Sequence, residues 1–125
     1  MKMNPLPSPL IFRCVFVLAL CVTTYVTLID LSEFPPINIW DKLLHASTFL
    51  LLSFLLHHSF ANTRLLSPQH IAQLVFLLCY GIMIEWLQSY TPYREASLLD
   101  VLADAAGILC YWSLYLCGKN AIQRR

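Results

Sequence analysis

Apolar residues dominate four stretches of this 125-residue chain, from about Pro9 to Ile29, Leu43 to Phe60, Ile71 to Tyr90 and Leu98 to Cys117. Each approaches the ~20 residues an α-helix needs to cross a bilayer. The pattern therefore predicts an all-α fold, an integral membrane four-helix bundle in which residues 1–125 form a single domain. Pro35-Pro36, the segment from Asn62 to Pro68, and Thr91-Pro92 divide the stretches with helix-breaking residues. Ser67 followed by Pro68 has the form of an N-cap and a first helical position. A soluble bundle is the competing architecture, but it needs a polar stripe on every helix. Ile71 to Ile84 offers only Gln73 and Tyr80 for that purpose.

Composition points the same way. The chain is 58% hydrophobic and 12% charged, against roughly 45–50% and 25% in soluble domains. A net charge of +1 provides no electrostatic footing for nucleic acid. Cys14, Cys21, Cys79, Cys110 and Cys117 are odd in number, lack CxxC spacing and fall within apolar runs. They read as small packing residues rather than zinc ligands or a disulfide framework. Lys2, Arg13 and the run from Cys14 to Ile29 are expected to form an uncleaved anchor, because no A-x-A site follows.

Positive residues favour the cytoplasmic side. Four spans with both termini cytoplasmic place Lys2, Arg13, Arg64, Lys119, Arg124 and Arg125 inside and leave Lys42 and Arg94 outside. Arg13, one turn into its span, is expected to snorkel to the headgroups. Trp40, Trp86, Tyr90 and Tyr93 would mark the outer interface, and Tyr111, Trp112 and Tyr115 the inner one. Gly81, Ala103, Ala106 and Gly107 supply small surfaces for close helix approach.

Six side chains, His45, Glu85, Gln88, Arg94, Asp100 and Asp104, interrupt the apolar stretches, and a charge in lipid is costly enough to need a reason. Asp41 and His45 share one helix face; so do Gly81, Glu85 and Gln88, and so do Asp100, Asp104 and Gly107. His45 lies roughly 6 Å below Asp41, and Asp104 roughly 6 Å below Asp100, at 1.5 Å rise per residue. With Arg94 in the outer loop and Lys42 at the boundary, the three faces predict a polar pocket open to the outside. Taken alone, Asp41 reads as an N-cap, and Ser97-Leu98-Leu99-Asp100 matches a capping box. Capping explains none of His45, Glu85 and Asp104, although a structural hydrogen-bond network joining helices would. His57, His58 and His70 fall at the other end and read as solvated interfacial histidines.

The ordered set Asp41-Lys42-Leu43-Leu44-His45, Glu85-Trp86-Leu87-Gln88, and Arg94 with Ser97, Asp100, Asp104 and Gly107 resembles the signature of the VanZ-like family. In that pattern D-K-x-x-H opens one span, E-x-x-Q closes the next, and R, D, N and G surround the last. The resemblance runs from Asp41 to about Gly107, and span one carries no motif. Asp104 departs from it, since the family commonly has Asn there; the added carboxylate eases a metal or proton role. The resemblance implies an envelope role on the outer side of a bacterial cytoplasmic (inner) membrane, in a family named for its association with teicoplanin resistance. It supplies no reaction.

Three functions compete. The first is a membrane enzyme or binding protein acting on an envelope lipid or cell-wall precursor. Lys42, Gln88, Arg94, Asp41 and Asp100 would hold the substrate, while His45, Glu85 and Asp104 exchange protons. A divalent-cation variant would draw on His45, Glu85, Asp100 and Asp104, but no tight ligand motif is present, so neither a cofactor nor a metal ligand set is expected. The second function is a non-enzymatic scaffold or assembly partner whose polar residues hold the helices together. The third is a proton-coupled transporter, for which four spans are few.

Overall fold

The computed structural model describes residues 7–30, 38–60 and 64–124. Four helices fill them: α1 (Pro9–Leu28), α2 (Asn38–His58), α3 (Pro68–Gln88) and α4 (Leu98–Gln123). There is no strand among the described residues. Lys2, Pro35-Pro36, Asn62 and Arg125 lie outside them.

Helix starts follow the local chemistry. Pro9 opens α1, and Pro68 opens α3 behind Ser67, whose hydroxyl accepts from the His70 N–H at 3.2 Å. Both prolines sit where the missing N–H costs nothing. α2 begins at Asn38, earlier than the apolar run, so Asp41 lies inside its first turn rather than at the cap. There its carboxylate still meets the positive end of the helix dipole. α4 continues past Cys117 to Gln123, because nothing from Gly118 to Gln123 breaks a helix strongly enough.

Cross-helix pairs fix the topology. Lys42 meets Asp100, His45 meets Asp104 and His57 meets Tyr111, so α2 and α4 run in the same direction. Glu85 with Ser97, and His70 with Trp112, set α3 antiparallel to α4. Phe16 with Phe76, and Thr24 with Tyr80, align α1 with α3. The bundle is therefore up-down-up-down, with Asp41, His45, Glu85, Gln88, Arg94, Asp100 and Asp104 at one end. α2 is the central helix, packed chiefly on α4 and then on α1.

Three helices, α1, α3 and α4, are long and apolar enough to cross a membrane. α2 is less apolar, because it carries Asp41, Lys42, His45, His57 and His58. Phe49, Leu52, Leu55 and Leu56 of α2 join Leu77, Tyr80, Ile84, Ile108, Tyr111 and Trp112 in the core. Alongside them His45, His57, His70, Gln73, Glu85, Gln88, Asp100 and Asp104 are buried. The outside is the reverse. Leu10, Val17, Leu18, Leu43, Leu44, Ile82, Leu102, Leu109 and Leu114 are exposed, as are all five cysteines. Apolar outside and polar inside is the arrangement a bilayer selects and water rejects. The cysteines thus do not pack the interior. They face outward, where a small apolar thiol is compatible with acyl chains. The chain is a multi-pass membrane protein.

Small residues let the central pair close. A Cβ at Gly107 would collide with the Ala46 carbonyl, so α2 and α4 touch backbone to backbone there. A Cβ at Gly81 would lie 2.7 Å from Asp104 Oδ2 and 3.2 Å from the Phe49 ring. Gly118 has open space around it. We therefore expect Gly107→Ala to cost about 1–3 kcal/mol, since the clash is with main chain that cannot swing aside. Gly118→Ala should be neutral or stabilising by up to about 1 kcal/mol through helix propensity. Unfolding midpoints in detergent compare the two, and equal midpoints would contradict the close α2–α4 approach.

Candidate functional site

The first turns of α2 and α4 lie side by side at the polar end, so Asp41, Lys42 and His45 face Asp100 and Asp104. His45 Nδ1 lies 2.9 Å from Asp104 Oδ1, with the two side chains 7% and 1% exposed. A carboxylate accepts, so Nδ1 carries the proton and Nε2 is the ring nitrogen left for a ligand. Lys42 Nζ stands 3.5 Å from Asp100 Oδ1, on a side chain still 38% exposed. The remaining oxygen of Asp104, Oδ2, is buried without a partner among the described residues.

A second chain of contacts secures the connection from α3 to α4. Glu85 Oε2 accepts from the Ser97 N–H at 2.8 Å. With the Gln88 amide oriented to suit its neighbours, its nitrogen donates to Glu85 Oε1 at 3.2 Å and its oxygen accepts from Arg94 Nη1 at 2.9 Å. Thr91 Oγ1 donates to the Gln88 carbonyl at 2.7 Å. Ser97 is the N-cap of α4, yet its side chain makes no cap bond. The capping box expected of Ser97 and Asp100 is therefore replaced, because Glu85 of the neighbouring helix takes the Ser97 N–H. Asp100 is thereby free to pair with Lys42.

A cavity of about 170 Å³ opens beside this cluster. Val22, Thr23, Val26 and Thr27 of α1 form one wall, Leu44, Thr48 and Phe49 of α2 another, and Ile84 of α3 closes it. Its ionisable lining is Asp41, His45 and Arg94, with the hydroxyl-bearing Thr23, Thr27 and Thr48 among the otherwise apolar walls. Lys42, Glu85, Gln88, Asp100 and Asp104 do not line it; they stand behind as partners. The structure thus unites all eight expected residues at one end of the bundle and divides them into a cavity face and a supporting layer. The contribution of α1 was not anticipated. Its signal was the run of hydroxyls Thr23, Thr24 and Thr27 in an otherwise apolar helix. Thr24 and Tyr80 place their hydroxyls 2.9 Å apart and both donate to the Leu20 carbonyl.

The opposite end corrects an expectation. His57 and His70 are buried, not solvated. His57 Nδ1 pairs with the Tyr111 hydroxyl at 2.6 Å, and the His70 ring packs 4.0 Å from Trp112 while its Nδ1 accepts from the Leu66 N–H. Tyr111 and Trp112 are consequently core residues and not an interfacial belt. Trp40, Trp86, Tyr90 and Tyr93 at the polar end are exposed, as a belt requires. Arg13 folds onto the end of α2, donating to the Ser59 carbonyl at 2.9 Å beneath the Phe60 ring.

A model of the VanZ/LLP1 family matches residues 11–119. An uncharacterized protein of Schizosaccharomyces pombe is 30% identical over 96 residues, covering 74% of this chain and 55% of that protein. The chain thus spans about half the length of this curated relative. No solved structure matches.

Glu85 carries a prediction of its own. Glu85→Ala leaves the Ser97 N–H and the Gln88 amide without their acceptor, and should cost about 1–3 kcal/mol. Glu85→Gln keeps an acceptor oxygen for Ser97 and should lose less than half of that. Denaturant titration of the purified variants measures both, and equal losses would mean that the charge of Glu85, not its acceptor geometry, matters.

Proposed function

The chain belongs to the VanZ/LLP1 family, and on that premise we propose that it binds an anionic amphiphile of the cell envelope, a lipid or lipid-linked cell-wall precursor, at its polar end. In this reading all four helices span the membrane, both termini are cytoplasmic, and the polar end faces outward from a bacterial inner membrane. The observation that carries it is the shape of the cavity, which has apolar walls from α1, α2 and α3 and a polar rim of Asp41, His45 and Arg94. Such a space suits a molecule with a hydrocarbon tail and an anionic head. Arg94 would hold phosphate or carboxylate oxygens through its forked donors. Gln88, held by Glu85, fixes the guanidinium from behind. His45 would meet the head through Nε2, with Asp104 setting its tautomer. A link to glycopeptide (teicoplanin) resistance would follow if that ligand is a wall precursor.

Glu85 and Gln88 favour a second reading at their own positions. Their polar atoms are taken up by Ser97 and Arg94, which is how a purely structural network behaves. A scaffold or assembly partner would need nothing more from them.

Binding separates the two readings. In phosphatidylcholine nanodiscs the protein should bind a polyprenyl phosphate, with inorganic phosphate a poor competitor because it lacks the tail. Arg94→Ala should weaken binding by roughly tenfold or more, given about 1.5–3 kcal/mol for a charge-assisted hydrogen bond. Val26→Trp, which fills the cavity, should weaken it comparably. Binding that neither substitution alters would sink the ligand reading and leave the scaffold.

A further inference from the structure

The cluster beside the cavity has the form of a ligand set that the spacing of the sequence did not reveal. One ligating atom from each of Asp41, His45 and Asp100 lies within 4.8 Å of the other two. An ion at the centre of such a triangle would sit at most about 2.8 Å from each, so a contraction of well under 1 Å reaches the ~2.0–2.2 Å of transition-metal bonds to nitrogen and carboxylate oxygen. His45 and Asp100 are 7% and 6% exposed, and both belong to helices already in contact.

Independent features point to a cation. His45 Nδ1 is held at 2.9 Å by Asp104, and a buried carboxylate orienting the far nitrogen of a histidine is the usual support for a metal-binding imidazole. That contact fixes the tautomer and leaves Nε2 as the ring nitrogen open to a ligand. Asp104, 1% exposed, turns its second oxygen toward Gly81 of α3, so it serves the triangle only through His45. Among the described residues, Asp41, Asp100 and Asp104 meet one ammonium, that of Lys42, at the long distance of 3.5 Å from Asp100. Carboxylates in such surroundings require protons or cations to balance them.

We propose that Asp41, His45 and Asp100 bind a divalent transition-metal ion of the zinc or manganese kind, with Asp104 as the positioning residue for His45. One imidazole and two carboxylates suit such an ion better than calcium, which takes six to eight oxygens. Glu85, whose two oxygens are engaged by Ser97 and Gln88, is not a ligand. Lys42 is the built-in competitor, able to swing outward on its half-exposed stem when the ion enters. The bound ion would face the cavity that Asp41, His45 and Arg94 line. The inference shares the site of the proposed lipid but stands without it.

The test uses the full chain, stripped with chelator and titrated calorimetrically with Zn²⁺, and with Mn²⁺ followed by electron paramagnetic resonance, with no anionic lipid added. One ion per chain is expected. His45→Gln and Asp100→Asn should each weaken binding at least roughly tenfold, and Asp104→Ala should do so by about 10–100-fold while Asp104→Asn, which retains an acceptor for Nδ1, loses less. A paired His57→Ala, His58→Ala variant should bind as wild type does. Lys42→Gln should tighten binding by roughly tenfold, since it removes a nearby positive charge. Should the ligand variants fail to fold, this last arm decides, because a merely structural Lys42–Asp100 pair would give unchanged or weaker binding. No ion bound, binding indifferent to His45 and Asp100, or no tightening with Lys42→Gln would each overturn the proposal. Lipid binding, measured separately with chelator present, stands or falls on its own.

Discussion

The hydrogen bond between His45 and Asp104 is the contact around which the polar end is organised. Both side chains are almost wholly buried, and Asp104, unlike His45, does not reach the cavity and has only neighbouring helices to satisfy it. Asp104 must therefore be met by a donor from a neighbouring helix, which requires α2 and α4 to lie close. Gly107 permits that by leaving room for the Ala46 carbonyl. Gly81 makes the matching allowance from α3, where the absence of a side chain accommodates Asp104 Oδ2 and the Phe49 ring. Two glycines and one buried hydrogen bond thus specify a three-helix junction that apolar packing alone would leave free to rotate.

Much of this was legible in the sequence because helical periodicity is insensitive to tertiary detail. Asp41 with His45, Glu85 with Gln88, and Asp100 with Asp104 had to lie on common faces whatever the bundle looked like. Four alternating helices then had to bring those faces to one end. What periodicity could not supply was partner choice. Glu85 and Asp100 are both carboxylates near the start of α4, and sequence spacing gave the Ser97 N–H to Asp100 as a local capping box. The fold gives it to Glu85, since a carboxylate arriving from α3 is as close as a local one and leaves Asp100 facing Lys42. The same limitation hid the burial of His57 and His70. Their position at helix ends suggested solvent, whereas Tyr111 and Trp112 supply a hydroxyl and a ring that make burial tolerable. The cysteines erred in the opposite sense: apolar runs do not reveal which face is turned outward.

The two ends of the bundle solve the burial problem differently. At the histidine and aromatic end, the hydroxyl of Tyr111 answers His57 and the Leu66 N–H answers His70 Nδ1, while His70 Nε2 is buried against Trp112 without a partner among the described residues; no carboxylate is set among these groups. At the other end, carboxylates outnumber the cations set directly against them. The cavity lined by Asp41, His45 and Arg94 opens at this second end. What sets the second end apart is carboxylates in excess beside an apolar space, the kind of mismatch a binding site retains.

α2 shows what this arrangement demands of assembly. α1, α3 and α4 are apolar enough to enter a membrane individually, but α2 carries Asp41, Lys42 and His45 within its first turns. Each charged residue opposes insertion by up to about 2.5–3.5 kcal/mol at the centre of a bilayer and by less near its edge. Lys42 and His45 gain partners only when Asp100 and Asp104 of α4 meet them, and α4 follows α2 in the chain. If α2 spans the membrane as proposed, it must wait at the interface, be sheltered by α1, or enter together with the last two helices. The contacts of α1 with both α2 and α3 give the first helix a structural purpose that its lack of any motif conceals. It covers the outer flank of α2 and, in doing so, becomes one wall of the cavity.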